Sequence, residues 1–232
     1  MLTHHLSECC EKNKIEFLNA MGPGRGLCAR GGMFNFTYSP VQDCKIIESA
    51  EKKAKKSLRT AVLITDIGND LMYGVSSDTL IESLDGMIGR MLKWEAEIFL
   101  TSIHVDLKKD VSPTTFLILR FLFYPSSKVT YEETDLFVSK INEYLEEKAR
   151  KNEKVHLITG MEAFAGSDKI HYSLLKTHAA WSKVTEEIFR VLNVREQKKL
   201  RLIDGIKSIL ANLKRLIFCD MFRLKKKGRE FY

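Results

Sequence analysis

Two short stretches of this chain hold residue types whose spacing could carry chemistry. The first, Thr65-Asp66-Ile67-Gly68-Asn69-Asp70, sets an amide among carboxylates where the apolar run Ala61–Ile64 ends. Strand ends are where open α/β sheets place their chemistry, and this loop puts an amide and two carboxylates where a ligand could meet them. The second, Asp168-Lys169-Ile170-His171, puts a carboxylate three residues before a histidine. At that spacing in a loop, Asp168 can orient one imidazole nitrogen of His171 while the other acts as a base. A third stretch, Gly22-Pro23-Gly24-Arg25-Gly26, is a glycine-rich turn that can present backbone N–H groups to an anion, with charge from Arg25. It matches neither GxxxxGK[ST] nor GxGxxG, so a nucleotide is not specified. Each stretch also has a plainer reading: a turn before a helix, a structural histidine, a tight turn needing positive φ.

Read together, TDIGND and DKIH about a hundred residues later resemble the third and fifth sequence blocks of the SGNH (GDSL-like) hydrolases. The similarity spans most of residues 15–190. It is nearest to a bacterial subgroup whose third block reads TDxGND followed by Tyr-Gly, as Tyr73-Gly74 do here. The resemblance implies a flavodoxin-like three-layer fold and action on a small ester or acyl substrate, without cofactor or metal. It implies Asn69 as oxyanion donor, Asp168 as the orienting acid and His171 as the base. Where the family has Gly-Asp-Ser, or Gly-Arg-Ser in the subgroup, this chain has Gly24-Arg25-Gly26. Gly26 therefore offers only a backbone N–H to an oxyanion and no nucleophile. The family's second-block glycine falls near Lys45, which keeps a backbone N–H. Cys28 is the substitute nucleophile that the sequence offers. Two residues displace it by ~6 Å along extended chain, whereas proton transfer needs roughly 3 Å. Ser39 and Ser102 are more remote alternatives, and His104 is an alternative base. Two functions follow: an ester or acyl hydrolase lacking the expected serine, or an inactive ligand-binding or scaffolding protein.

The elements that must position these residues follow from hydrophobic period and capping. Residues 15–21 (IEFLNAM), Ala61–Ile64, 97–105 and 155–159 read as strands, with 44–47 as a short one. Ala61–Ile64 is expected to be buried on both faces. Leu80, Ile81, Leu84, Met87, Ile88, Met91 and Leu92 define an amphipathic helix over residues 76–94, capped by Ser76 or Ser77. Further helices are expected over 49–56, over 113–123 opened by Pro113, over 130–151 from Thr130, and over 173–192 capped by Ser173. Residues 27–43 and 160–171 read as irregular. Strands separated by helices predict a mainly parallel sheet in a three-layer α/β/α domain.

Composition bounds the rest. With 44% hydrophobic and 29% charged residues, the 232-residue chain is an ordinary globular sequence with room for one substantial core. Its net charge of +7 is concentrated in one place. Residues 195–232 hold 12 Lys and Arg against 4 Asp and Glu, a net +8, which leaves the remainder at −1. The pI of about 9.1 is therefore poor evidence that the body binds nucleic acid, no specific nucleic acid is expected, and the charge points to a surface partner for the tail. Leu202, Ile203, Ile206, Ile209, Leu210, Leu213, Leu216 and Ile217 mark one helical face in that tail. Such a helix can dock on the body, pair with a protein partner or lie on an anionic membrane. The expected organisation is a polar segment 1–14, an α/β domain 15–192 and a basic helical extension 193–232. Cys9, Cys10, Cys28, Cys44 and Cys219 lack zinc-like spacing, and although His4 and His5 beside Cys9 and Cys10 are of metal-ligating types, terminal residues are usually too poorly ordered to hold a metal, so none is expected. An odd cysteine count and no secretory signal lead us to expect a cytoplasmic protein, soluble or peripheral at a membrane.

Overall fold

The computed structural model describes residues 15–32, 37–57, 59–194, 200–215 and 217–218. His4, His5, Cys9, Cys10 and Cys219 lie outside the described residues, as does most of the basic tail beyond Arg215. The described chain divides into two compact units: residues 19–160, and residues 15–18 together with those from Met161 onward.

The first unit is a parallel sheet flanked by helices, the arrangement of a flavodoxin-like α/β fold. Its strands β1 (Ala61–Ile64), β2 (Glu97–Thr101) and β3 (Val155–Ile158) lie in the order β1-β2-β3. Ile64 faces Leu100 across one pair and Leu100 faces Leu157 across the next. Before β1 comes α1 (Ile46–Ala54); between β1 and β2 lie a 3-10 helix (Ile67–Tyr73) and α2 (Ser77–Leu92). Between β2 and β3 run α3 (Leu107–Asp110), α4 (Pro113–Phe123) and α5 (Tyr131–Lys151).

Side chains alternate along a strand, so Val62, Ile64, Ile98, Leu100, Val155 and Leu157 share one face. The apolar stripes of α2 (Leu80, Leu84, Ile88) and α5 (Phe137, Ile141, Leu145) pack with that face into one core. On the opposite face Phe99 is fully buried and stacks on His156, with ring centroids 5.0 Å apart. The helices start where the caps predict. Ser76 Oγ accepts from Thr79 N–H, Ser112 Oγ accepts from Thr115 N–H ahead of Pro113, and Thr130 forms a capping box with Glu133.

The second unit holds a 3-10 helix (Met161–Phe164), α6 (Thr177–Leu192) and α7 (Leu202–Arg215). Ala180, Val184 and Ile188, four residues apart, form the buried stripe of α6. α6 ends at Asn193, whose φ of 52° takes the left-handed conformation.

Four expectations are corrected. Residues 15–21 form no strand; a strand needs a neighbour for its N–H and C=O groups, and no described segment pairs with them. β1 consequently has a partner on one side only, and Ala61 is exposed rather than buried. Residues 44–47 turn into α1 instead of forming a strand, since Ile47 is buried from a helical position. Ser173 does not cap α6: a turn from Ser173 to Lys176 intervenes and the helix begins at Thr177.

Substituting Thr130→Ala removes one half of the capping box and is expected to cost about 1 kcal/mol. Leu84→Ala, at a fully buried position, should cost about 2–5 kcal/mol. Equilibrium denaturation of both variants checks the order.

Candidate functional site

The loop after β1 is built by one backbone decision. Asp66 adopts φ 57°, turning the chain out of the strand and into the 3-10 helix. Ile67 and Leu71 are buried as anchors of that helix, which sets the directions of Asn69, Asp70 and Tyr73.

Asp70 is fully buried and gathers the segment that follows the glycine turn. Its Oδ2 accepts from Leu27 N–H at 2.7 Å. Its Oδ1 accepts from Cys28 N–H at 2.9 Å and Ala29 N–H at 2.7 Å, and from the Cys28 thiol at 3.3 Å. The N–H groups that meet an anion are thus those of Leu27, Cys28 and Ala29, just after the glycine turn and not in it, and the anion is the chain's own carboxylate. Arg25 is buried and turned inward, with Nε donating to Ser39 O at 2.9 Å, so it braces the loop.

Asn69 stands beside the same turn. Its Nδ2 donates to Arg25 O at 3.2 Å, and its Oδ1 accepts from Tyr124 O–H at 3.4 Å. Tyr73 O–H donates to Gly24 O at 2.5 Å, and its ring meets that of Tyr124 edge-on with centroids 5.5 Å apart. Burial raises both phenols above their ordinary range. The Tyr73 ring also covers Gly31, where a Cβ would come within 2.2 Å of it. Tyr73 stood within the motif without a role, and Tyr124, which ends α4, carried no local signal; both clamp the loop.

Gly26, where the resemblance leads one to expect a serine, is buried, and a Cβ there would lie 2.7 Å from both Ala29 O and Asp70 Oδ1. The backbone leaves no room for a side chain. Gly26 N–H makes no hydrogen bond to a described residue. Cys28, the substitute nucleophile, has its thiol pushed up to about 12, first by burial and then by the charge and hydrogen bond of Asp70. A thiol so held is protonated at neutral pH, the opposite of what attack requires. Ser39 is exposed, Lys45 begins α1, and the half-buried His104 lies beyond β2.

Asp168 and His171, in the second unit, form the pair that their spacing predicts. Asp168 Oδ2 lies 2.7 Å from His171 Nδ1, while its Oδ1 accepts from the N–H groups of Ile170 at 3.2 Å and His171 at 3.0 Å. Gly166 N–H donates to His171 O at 2.7 Å, Ala165 bridges to Tyr172, and Lys169 turns the loop with φ 61°. Burial alone would raise the Asp168 carboxyl, but the hydrogen bonds and charge of His171 outweigh it and hold the group below its ordinary range. The His171 side chain is about half exposed, at 51%. With Nδ1 donating to Asp168, Nε2 is the basic nitrogen.

No family model, curated protein or solved structure matches the chain.

Two outcomes follow from the Asp70 cluster. Gly26→Ser is expected to destabilise by about 1–3 kcal/mol through overpacking, and not to create a serine that a fluorophosphonate labels. A folded-state thiol near 12 against an ordinary value of 9.0 means that the unfolded chain loses this proton first as pH rises. Stability should therefore fall from about pH 9 upward, and Cys28→Ala should flatten that part of a thermal-melt series against pH.

Proposed function

We propose that this is an SGNH-hydrolase-like protein that acts on an ester or acyl group without forming an acyl-enzyme. The observation that carries the reading is the 2.7 Å Asp168–His171 hydrogen bond, which orients a base. In this reading His171 Nε2 takes a proton from water, and the hydroxide adds to the acyl carbon. The protonated ring then returns its proton to the departing alkoxide, yielding acid and alcohol. Asn69 and the Gly26 N–H are assigned to the oxyanion by the resemblance, and the hydrogen bonds fixing the Asn69 amide suit that task.

A second reading, binding of an ester or acyl ligand without turnover, is favoured by the crowded Gly26 position and the protonated Cys28 thiol.

Assay of the purified protein across short- and long-chain acyl esters separates the two. Hydrolysis should fall roughly 10²–10⁴-fold in His171→Ala and substantially in Asp168→Asn. Asn69→Ala should lower kcat by about 10²–10³. Peptide mapping after fluorophosphonate and iodoacetamide treatment should find no labelled serine and no labelled Cys28. Saturable ester binding with no turnover replaces hydrolysis by the binding reading; neither binding nor turnover rejects both.

A further inference from the structure

The apolar stripe of α7 is not what holds that helix to its unit. α7 packs against α6, and the position it buries is Gly205, with Ile209 partly covered beside it. Leu202, Ile203, Ile206, Leu210 and Leu213 remain between 44% and 60% exposed. At 100° per residue these five side chains fall within one sector of about 100°. Lys207 and Lys214 border the sector on one side, both exposed. Along the described helix, with Arg201 just before it, the sequence has four cations (Arg201, Lys207, Lys214, Arg215) against Asp204.

We propose that α7 attaches the protein to an anionic lipid surface, with its leucine and isoleucine stripe in the headgroup layer and the flanking cations at the phosphates. The inference does not depend on the hydrolase-like reading. No described helix is long and apolar enough to cross a membrane, so α7 lies in the interface plane instead of spanning it. Within its own unit, no described residue covers the stripe. A second copy would bring another +8 tail against the first, which disfavours self-pairing through this face. A lipid surface meets both features at once: a continuous apolar layer takes the stripe, and anionic headgroups take lysines at its border, where their stems can lie along the apolar boundary.

Co-sedimentation of the full chain with vesicles tests this. Equal parts phosphatidylcholine and phosphatidylglycerol should retain the protein, pure phosphatidylcholine should retain far less, and added salt should release it. Lys207→Gln and Lys214→Gln should each weaken binding roughly fivefold, with unchanged circular dichroism. Leu210→Glu, at an exposed position, should weaken it roughly tenfold or more. Wild-type protein that ignores the anionic vesicles, or a Leu210→Glu variant retained as well as wild type, overturns the proposal. So does a concentration-dependent dimer that Leu210→Glu dissolves in the absence of vesicle binding, which would assign the stripe to a second copy.

Discussion

A carboxylate removed from water must be supplied with donors, and Asp70 is removed completely. The donors it finds are three successive backbone N–H groups, Leu27, Cys28 and Ala29, more than forty residues away in sequence. This demand ties the irregular segment after the glycine turn to the 3-10 helix after β1. Loss of the carboxylate would leave three N–H groups to be satisfied anew, at about 1–3 kcal/mol for each one left buried without a partner. Much of the chemistry of the loop descends from that one arrangement. The loop closes so tightly on Asp70 Oδ1 that Gly26 has no space for a Cβ, and the same oxygen draws the Cys28 proton to itself. The interaction that builds the loop also deprives it of a nucleophile.

The Asp168–His171 pair is governed by local geometry instead. Its loop is closed by the Gly166–His171 backbone hydrogen bond and by the bridge from Ala165 to Tyr172, and Asp168 binds the backbone of the histidine it orients. One side chain thus fixes both the ring and the turn that carries it. The pair is preorganised by its own eight residues, which is why a three-residue spacing is enough to predict it. The contrast with the glycine turn is physical: an i,i+3 pair in a closed loop can be inferred from a short stretch, whereas a carboxylate recruiting amides from a distant segment cannot.

The same distinction separates the elements that were legible from those that were not. Long helices with a hydroxyl cap and a 3.6-residue apolar period, α2 and α5 above all, carry their evidence in their own residues. β2 and β3 were readable as short apolar runs between helices. The run at residues 15–21 looks equally apolar but forms no strand, because a strand is a property of a pair and nothing within IEFLNAM says whether a neighbour will come. The exposure of Ala61 follows from that missing neighbour. α7 shows the complementary case: its period marked a helix, while period alone could not say whether the stripe would be covered.

The sequence by itself determined what depends on neighbours along the chain: the capped helices, the parallel α/β order, the pairing of Asp168 with His171, and the concentration of charge in residues 195–232. Tertiary structure alone decided what depends on distant groups meeting. It decided that Asp70 is held by the N–H groups of residues 27–29, that Tyr73 and Tyr124 clamp the loop, that Gly26 admits no side chain, and that Cys28 keeps its proton. The reason is that burial and desolvation are set by the atoms that surround a group, and those atoms come from segments whose proximity no local pattern encodes.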